Sequence, residues 1–425
     1  ALYGKYDVKR GLRDINGKGV LAGLTQISAI HSTEIVNGET VPCEGRLYYR
    51  GYEIHDLVGG FLKGKRFGFE EVAYLLLFGK LPKEEELKDF GQLLADQRCL
   101  PTNFVRDVIM KAPTPDMMNT LARSVLTLYA YDDNADDTSL PNVLRQCLNL
   151  ISVFPMLSVY GYHAYNHFIK GKSLYIHRPD PKLSVAENIL RMLRPDKKYT
   201  QLEAEILDIA LVLHMEHGGG NNSTFTNVVI SSTGTDIYST VSASIGSLKG
   251  PRHGGANIKV AEMMDAVLEE VGGYTADDKK LRAAVHKLMD GKLYDGTGLV
   301  YGFGHAVYTI SDPRADMLRA CCAEVAKEKK QMTEFDFRQR FEKAALEVMK
   351  ERKGVALPTN VDYYSGFAYG MLNIPRDLYT PLFMCSRMVG WVAHNIENKL
   401  YDGRIMRPAT KYVGDNKDYM PMEER

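Results

Sequence analysis

Phe69–Pro82 reads FEEVAYLLLFGKLP: two carboxylates in the first turn, apolar side chains at helical spacing, then glycine and proline. Carboxylates suit the positive end of a helix, and a glycine followed by a proline stops one. The same grammar recurs downstream in KEEELKDFGQLLADQR (83–98), PDMMNTLARSVLTLYAYD (115–132), SVAENILRMLR (184–194) and QLEAEILDIALVLHMEH (201–217). It continues in ANIKVAEMMDAVLEEVGG (256–273), ADDKKLRAAVHKLMDG (276–291), PRADMLRACCAEVAKEKK (313–330) and FDFRQRFEKAALEVMKERKG (335–354). Upstream, about the first 65 residues hold short alternating runs such as GVLAGLTQIS (19–28), and Asn37-Gly38 is a tight-turn signal, so a few short strands or hairpins are expected there. Many helices and few strands make the chain mainly α. No strand leads into GxGxxG and there is no GxxxxGK[ST], which disfavours dinucleotide-binding and P-loop folds.

A length of 425 residues suggests two or three domains. Polar, glycine-containing junctions at Gly272–Gly273 and at Asn373–Arg376 bracket a candidate inserted helical subdomain. Lys plus Arg and Asp plus Glu both number 53, so no global field attracts nucleic acid or an acidic membrane, and an anionic ligand must be caught by locally placed cations. Six cysteines without CxxC spacing read as reduced thiols of a cytosolic protein. The start, ALYGKYDVKRGLRD, lacks a basic-then-apolar signal pattern. Between Arg145 and Lys170 no charged residue occurs, but Gln146, Asn149, Pro155, His163, Asn166 and His167 interrupt the stretch, which reads as a buried, Pro-kinked helix rather than a membrane span.

Chemistry gathers at glycine-rich turns. His217 stands in LHMEHGGGNNS, His253 in SLKGPRHGGAN just before a helix, and His305 in GLVYGFGHAVY. Flanking glycines let backbone approach a ligand closely, whereas a lone histidine is usually a hydrogen-bonded structural residue. Asp362, in PTNVDYYSG, lies among apolar and aromatic neighbours; it is either a desolvated general base or the cap of the following helix. Arg314, Arg387 and Arg407 carry guanidinium groups suited to bidentate carboxylate recognition, although each taken alone would be a surface residue. His214, Glu216 and His217 could face one side of a helix, but the HExxH order is missing and no further ligand is evident, so a metal site is not expected.

HMEHGGGN, GPRHGGAN, GFGHAVY followed by DPRA, NVDYYSG, SR..GW.AH..E and RIMRP occur in this order, with YYRGYEIHDL and VAYLLLFGKLP upstream. In this set the chain resembles the citrate synthase family from about residue 46 to 414. The resemblance implies a large helical domain (1–256 plus 377–425), a small one (257–376) and an active site in the cleft between them. It implies condensation of acetyl-CoA with oxaloacetate, without metal or cofactor. Asp362 would deprotonate the acyl carbon, His253 would hold the thioester oxygen, and His305 would polarise and then protonate the 2-oxo carbonyl. His217, Arg314, Arg387 and Arg407 would grip the oxo acid, with Arg407 reaching into the partner's site of a homodimer. Gly302 and Gly304 would lie along the CoA. Many relatives carry arginine directly after the GFGH histidine and a basic residue four positions after it, where this chain has Ala306 and Thr309. Arg252, Lys249 and Lys353 are therefore the expected phosphate partners. 2-Methylcitrate synthase, acting on propionyl-CoA with the same residues, and a non-catalytic CoA-ester-binding homologue are the competing readings. Prokaryotic cytoplasm is the expected location.

Overall fold

The computed structural model describes residues 2–14, 18–354, 357–401 and 403–425. Strands β1 (Ser28–Val36), β2 (Glu39–Tyr49) and β3 (Tyr52–Glu53) form one antiparallel sheet in the order β1-β2-β3. Val36 pairs with Glu39 across the Asn37-Gly38 turn, where both residues have positive φ (53° and 84°), as a two-residue hairpin requires. The alternating run over residues 19–28 forms no strand before Ser28, and Leu21 and Leu24 lie exposed. Alternation alone could not make a strand there, because the segment has neither a pairing edge nor a core face.

The Phe69–Phe78 helix starts at Gly68, which has no side chain to cap it. Asp208, from the Gln201–His214 helix, reaches across and accepts from the Gly68 and Phe69 N–H groups at 2.6 and 3.2 Å. Gly79 in the left-handed region then closes the helix, its N–H donating to the Leu75 carbonyl. The Leu140–Phe168 helix runs on through Pro155; by length and composition it could cross a membrane, but 83% of its apolar window is buried inside the protein. It packs against Tyr379–Leu400, which is buried almost all round and also touches the Asn222–Ser231, Phe69–Phe78 and Gln201–His214 helices. A second group of helices, Ala256–Val271, Asp278–Met289, Pro313–Glu328, Met332–Lys353 and Val361–Met371, packs mainly on itself.

The two groups are tied at the end of Val361–Met371. Arg194 donates to the Leu372 carbonyl at 2.8 Å and Lys329 to the Met371 carbonyl at 2.6 Å, capping the helix terminus. Both cations bond to the buried Glu203, at 2.6 and 2.5 Å. Burial would raise the Glu203 carboxyl, but these hydrogen bonds overcome it and hold it at about 2. A depressed folded value means stability that is present above the ordinary value of 4.5 and lost as pH falls towards 2. Glu203→Gln is therefore expected to melt below wild type at neutral pH, the gap closing between pH 4.5 and 2 in a pH series of thermal melts.

Candidate active site

Pairing of two loops brings the first two candidates together. Phe303 bridges to Thr359, the Gly304 N–H donates to Pro358 O at 2.7 Å, and the Asn360 N–H donates to Gly302 O at 2.9 Å. Gly302 has φ 87°, and a Cβ there would sit 2.9 Å from the Tyr363 Cβ, so only glycine lets the His305 loop press against the helix carrying Asp362. That helix is capped by Asn360, whose side chain accepts from the Asp362 N–H at 3.0 Å. The Asp362 carboxylate is thus released from capping, and its Oδ1 is buried with no hydrogen-bond partner among the described residues. Burial pushes Asp362 up to about 7; Asp312 adds to this, while Arg314 and Arg387 oppose it.

His305 has a fixed tautomer. Its Nδ1 receives N–H groups from both Val307 (3.0 Å) and Tyr308 (3.1 Å), so its proton must sit on Nε2. Burial, aided by the Arg314 charge, lowers it to about 4, leaving a neutral donor at pH 7. His217 lies beside it, ring centroids 4.9 Å apart, with Nε2 3.3 Å from the Tyr308 hydroxyl. Burial and the neighbouring arginines lower His217 well below its ordinary range.

His253 Nε2 lies 2.9 Å from Ser223 Oγ, which also accepts from Trp391 Nε1 at 3.0 Å. Ser223 has one proton to give, to His253 or to Asn221 Oδ1 at 3.0 Å; giving it to His253 puts the imidazole proton on Nδ1. His253 is lowered to about 4 by burial first and by the Arg387 charge second.

The arginines differ in their commitments. Arg314 is buried and bidentate to Asp312, Nε at 2.9 Å and Nη2 at 2.7 Å; burial works against its charge, and the carboxylate more than compensates. Asp312 also accepts from the Val361 N–H at 3.2 Å, so it ties the arginine to the start of the Asp362 helix. Arg387 is fully buried, donates Nε to the His214 carbonyl at 2.7 Å and stacks on Phe383, 4.9 Å from the ring centroid. Its Nη1 is buried without a partner among the described residues, and so is His214 Nε2, whose ring packs 4.8 Å from Phe383. Four buried polar atoms without a partner among the described residues (Asp362 Oδ1, Arg387 Nη1, His214 Nε2 and Glu216 Oε2) belong to groups that feel the Arg387 charge, and such atoms call for partners that the protein itself does not supply.

Not every sequence candidate gathers here. Arg407 lies exposed on the segment after the Tyr379–Leu400 helix. Lys249 is ion-paired with Asp116. Arg252 and Lys353 are exposed, the latter ending the Met332–Lys353 helix. Gly302 and Gly304 have the backbone roles given above. Among the described residues no three His, Cys, Asp or Glu side chains are grouped to hold a metal ion. Sequence reading passed over Asp312, Ser223, Phe383 and Tyr308. The first was visible as the Asp of DPRA, but the others are ordinary core or turn residues until the fold places them.

The geometry agrees with what the chain is similar to. A family model described as citrate synthase, C-terminal domain, matches residues 12–409. A citrate synthase of Haloferax volcanii is 36% identical over 425 residues, covering 99% of each chain. A 2-methylcitrate synthase of Corynebacterium glutamicum is 30% identical, covering 99% of this chain and 98% of its own. The citrate synthase of Thermoplasma acidophilum, solved as a ternary complex with carboxymethyl coenzyme A and oxaloacetate, superposes with TM-score 0.79 at 25% identity, covering 98% of this chain and 99% of its own. With one buried carboxylate, two neutral imidazoles and two buried arginines brought together by motifs in the family's order, this chain belongs to the citrate synthase family.

Proposed function

We propose that the chain is a citrate synthase, condensing acetyl-CoA with oxaloacetate and water to give citrate and CoA. The observation that carries this reading is Asp362: a buried carboxylate with a free oxygen and a proton affinity near neutrality, coupled to arginines that suit a dicarboxylate. A thioester α-carbon is a weak acid, so the carboxylate needs help. A neutral donor at the developing oxyanion, the role given to His253, supplies on the order of 3–4 kcal/mol. The enol then attacks the 2-oxo carbon. His305 Nε2–H polarises that carbonyl and delivers its proton as the alkoxide forms, and water finally cleaves the condensed thioester. Arg314, Arg387 and His217 hold the oxo acid. Each step uses side chains alone, so the reading requires neither metal nor cofactor. Arg252, Lys249 and Lys353 are proposed for the CoA phosphates, and Gly302 and Gly304 for backbone approach to CoA.

Thiol release with oxaloacetate, measured with acetyl-CoA and with propionyl-CoA, tests the assignment. Faster release with acetyl-CoA is expected. Preference for propionyl-CoA would make the enzyme a 2-methylcitrate synthase, the activity named for the C. glutamicum relative and for one of Shewanella oneidensis. No oxaloacetate-dependent release would leave a binding protein.

The proposed arrangement is a cytoplasmic homodimer, with residues 257–376 as a small domain closing on the remainder. The exposed apolar side chains of the C-terminal segment, Ile405, Tyr412, Val413 and Tyr419 among them, support an arm that packs on a second copy. Arg407 would then complete the partner's site. A statistical mixture of Arg407→Ala and Asp362→Ala subunits is expected to regain up to about a quarter of wild-type activity, since about half of its dimers are mixed and each of those has one of its two sites intact. Each variant alone should be nearly inactive, and no recovery after subunit exchange would exclude a shared site.

A further inference from the structure

The motif SR..GW.AH..E has so far yielded one ligand-facing residue, Arg387, but the structure gives the whole motif a common purpose. Arg387, Gly390, Trp391, His394 and Glu397 recur at three- and four-residue steps, so they share one face of the Tyr379–Leu400 helix. That face lies against the turn carrying His217. At Gly390 an added Cβ would meet Glu216 Oε2 at 2.3 Å and the Met215 carbonyl at 2.5 Å, so the helix approaches the turn too closely for any side chain there. Gly219 passes over the His394 ring, its would-be Cβ 3.3 Å from Cε1.

Glu216, with no exposed surface, is the centre of this contact. Its Oε1 accepts from the Gly218 N–H at 2.5 Å, from Ser28 Oγ at 3.0 Å and from His394 Nε2 at 3.1 Å. Its backbone N–H is held by the Tyr49 hydroxyl at 3.2 Å. His394 Nδ1 faces Glu397 at 3.8 Å, and Glu397 in turn accepts from the Gln26 N–H at 2.7 Å. One carboxylate therefore fastens both residues flanking His217 to the first strand and to the Arg387 helix. Burial alone would neutralise this pair. The His394 and Arg387 charges hold Glu216 at about 2 against its burial, while Glu216 in turn raises His394.

We propose that the Glu216–His394 ion pair is a positioning device for His217 and Arg387, and that it sets affinity for the oxo acid without touching substrate. This rests on the oxaloacetate reading of the site. The pair orders the turn on one side and places a negative charge behind the Arg387 guanidinium on the other, so that two groups on different elements meet the same ligand.

The test is steady-state kinetics and oxaloacetate titration calorimetry on His394→Leu and His394→Gln, with thermal melts alongside. His394→Leu is expected to raise the oxaloacetate KM and Kd on the order of tenfold, as loss of a charge-assisted hydrogen bond implies. Acetyl-CoA KM should stay within about twofold, since no part of the network faces His253 directly. His394→Gln, which keeps a donor, should recover most of the loss. A merely structural pair would lower the melting point and kcat without this selectivity. Ser28→Ala removes one donor to the same oxygen without stranding a charge, and is the variant to rely on should His394→Leu fail to fold. A rise in oxaloacetate KM of about two- to fourfold is expected of it. Unchanged oxaloacetate affinity in these variants, or an equal rise in both KM values, would overturn the proposal. Wild-type enzyme without oxaloacetate-dependent turnover would instead overturn the reading beneath it.

Discussion

Asp362→Asn is expected to reduce citrate formation by about 10³-fold or more while leaving the protein folded, because a positioned general base contributes roughly 10²–10⁴ in rate. Folding should survive because the helix does not depend on this side chain: Asn360 is its cap, and Asp362 Oδ1 has no partner to lose. Far-UV circular dichroism and a melting curve check that half. Exchange of the acetyl protons of acetyl-CoA with deuterated water checks the chemical half, and it should vanish with turnover. The wild-type pH profile is a second readout. With its carboxyl pushed up to about 7 by burial, the free enzyme holds its base in the active, ionised form above that value. The kcat/KM for acetyl-CoA should therefore fall as pH drops through about 7, and remain flat if another group is the base. His253 and His305, both near 4, stay neutral throughout this range and contribute no limb of their own.

How much of this was legible in the sequence depended on how each element is stabilised. Helices with one buried face, such as Glu84–Asp96 and Val185–Leu193, announce themselves by periodicity, the second also by its Ser184–Glu187 capping box. Asn222–Ser231 and Ile237–Leu248 do not: they are rich in Ser, Thr and β-branched residues, poor helix formers that are held helical by packing on each other. Tyr379–Leu400 hides for the opposite reason, since a helix buried nearly all round has no polar stripe to betray its period. The candidate site divides likewise. Histidines in glycine turns are readable because glycine marks backbone that must approach something. Asp312, Ser223 and Glu216 bond other groups of the chain, and only folding shows which residue each one holds. The Asp362 alternatives also needed the structure, because a capping and a desolvated aspartate look the same until Asn360 is seen to take the cap.

Arg387→Leu should cost about 3 kcal/mol in transition-state stabilisation, roughly 100-fold in kcat/KM for oxaloacetate, the scale for deleting one partner of a buried charge pair. Arg387→Lys should recover little of it. The guanidinium spends Nε on the His214 carbonyl, sits over the Phe383 ring and still keeps Nη1 without a partner among the described residues, and an ammonium cannot do all three from one nitrogen. A second consequence separates this role from simple loss of packing. Arg387 is one of the charges that lower Asp362, so removing it should move the Asp362 carboxyl above its present value of about 7. The base is then ionised only at higher pH, and the acid limb of kcat/KM should shift upward in both variants where the positive charge is lost or displaced, most in Arg387→Leu. His253 is also lowered by Arg387 and should rise, though from about 4 and so without becoming charged near neutrality. A pH profile for Arg387→Leu that keeps the wild-type limb, with only the oxaloacetate KM raised, would mean that the arginine grips the ligand but does not tune the base. A shifted limb would make one residue responsible for both anion binding and the proton affinity of the group that starts the reaction.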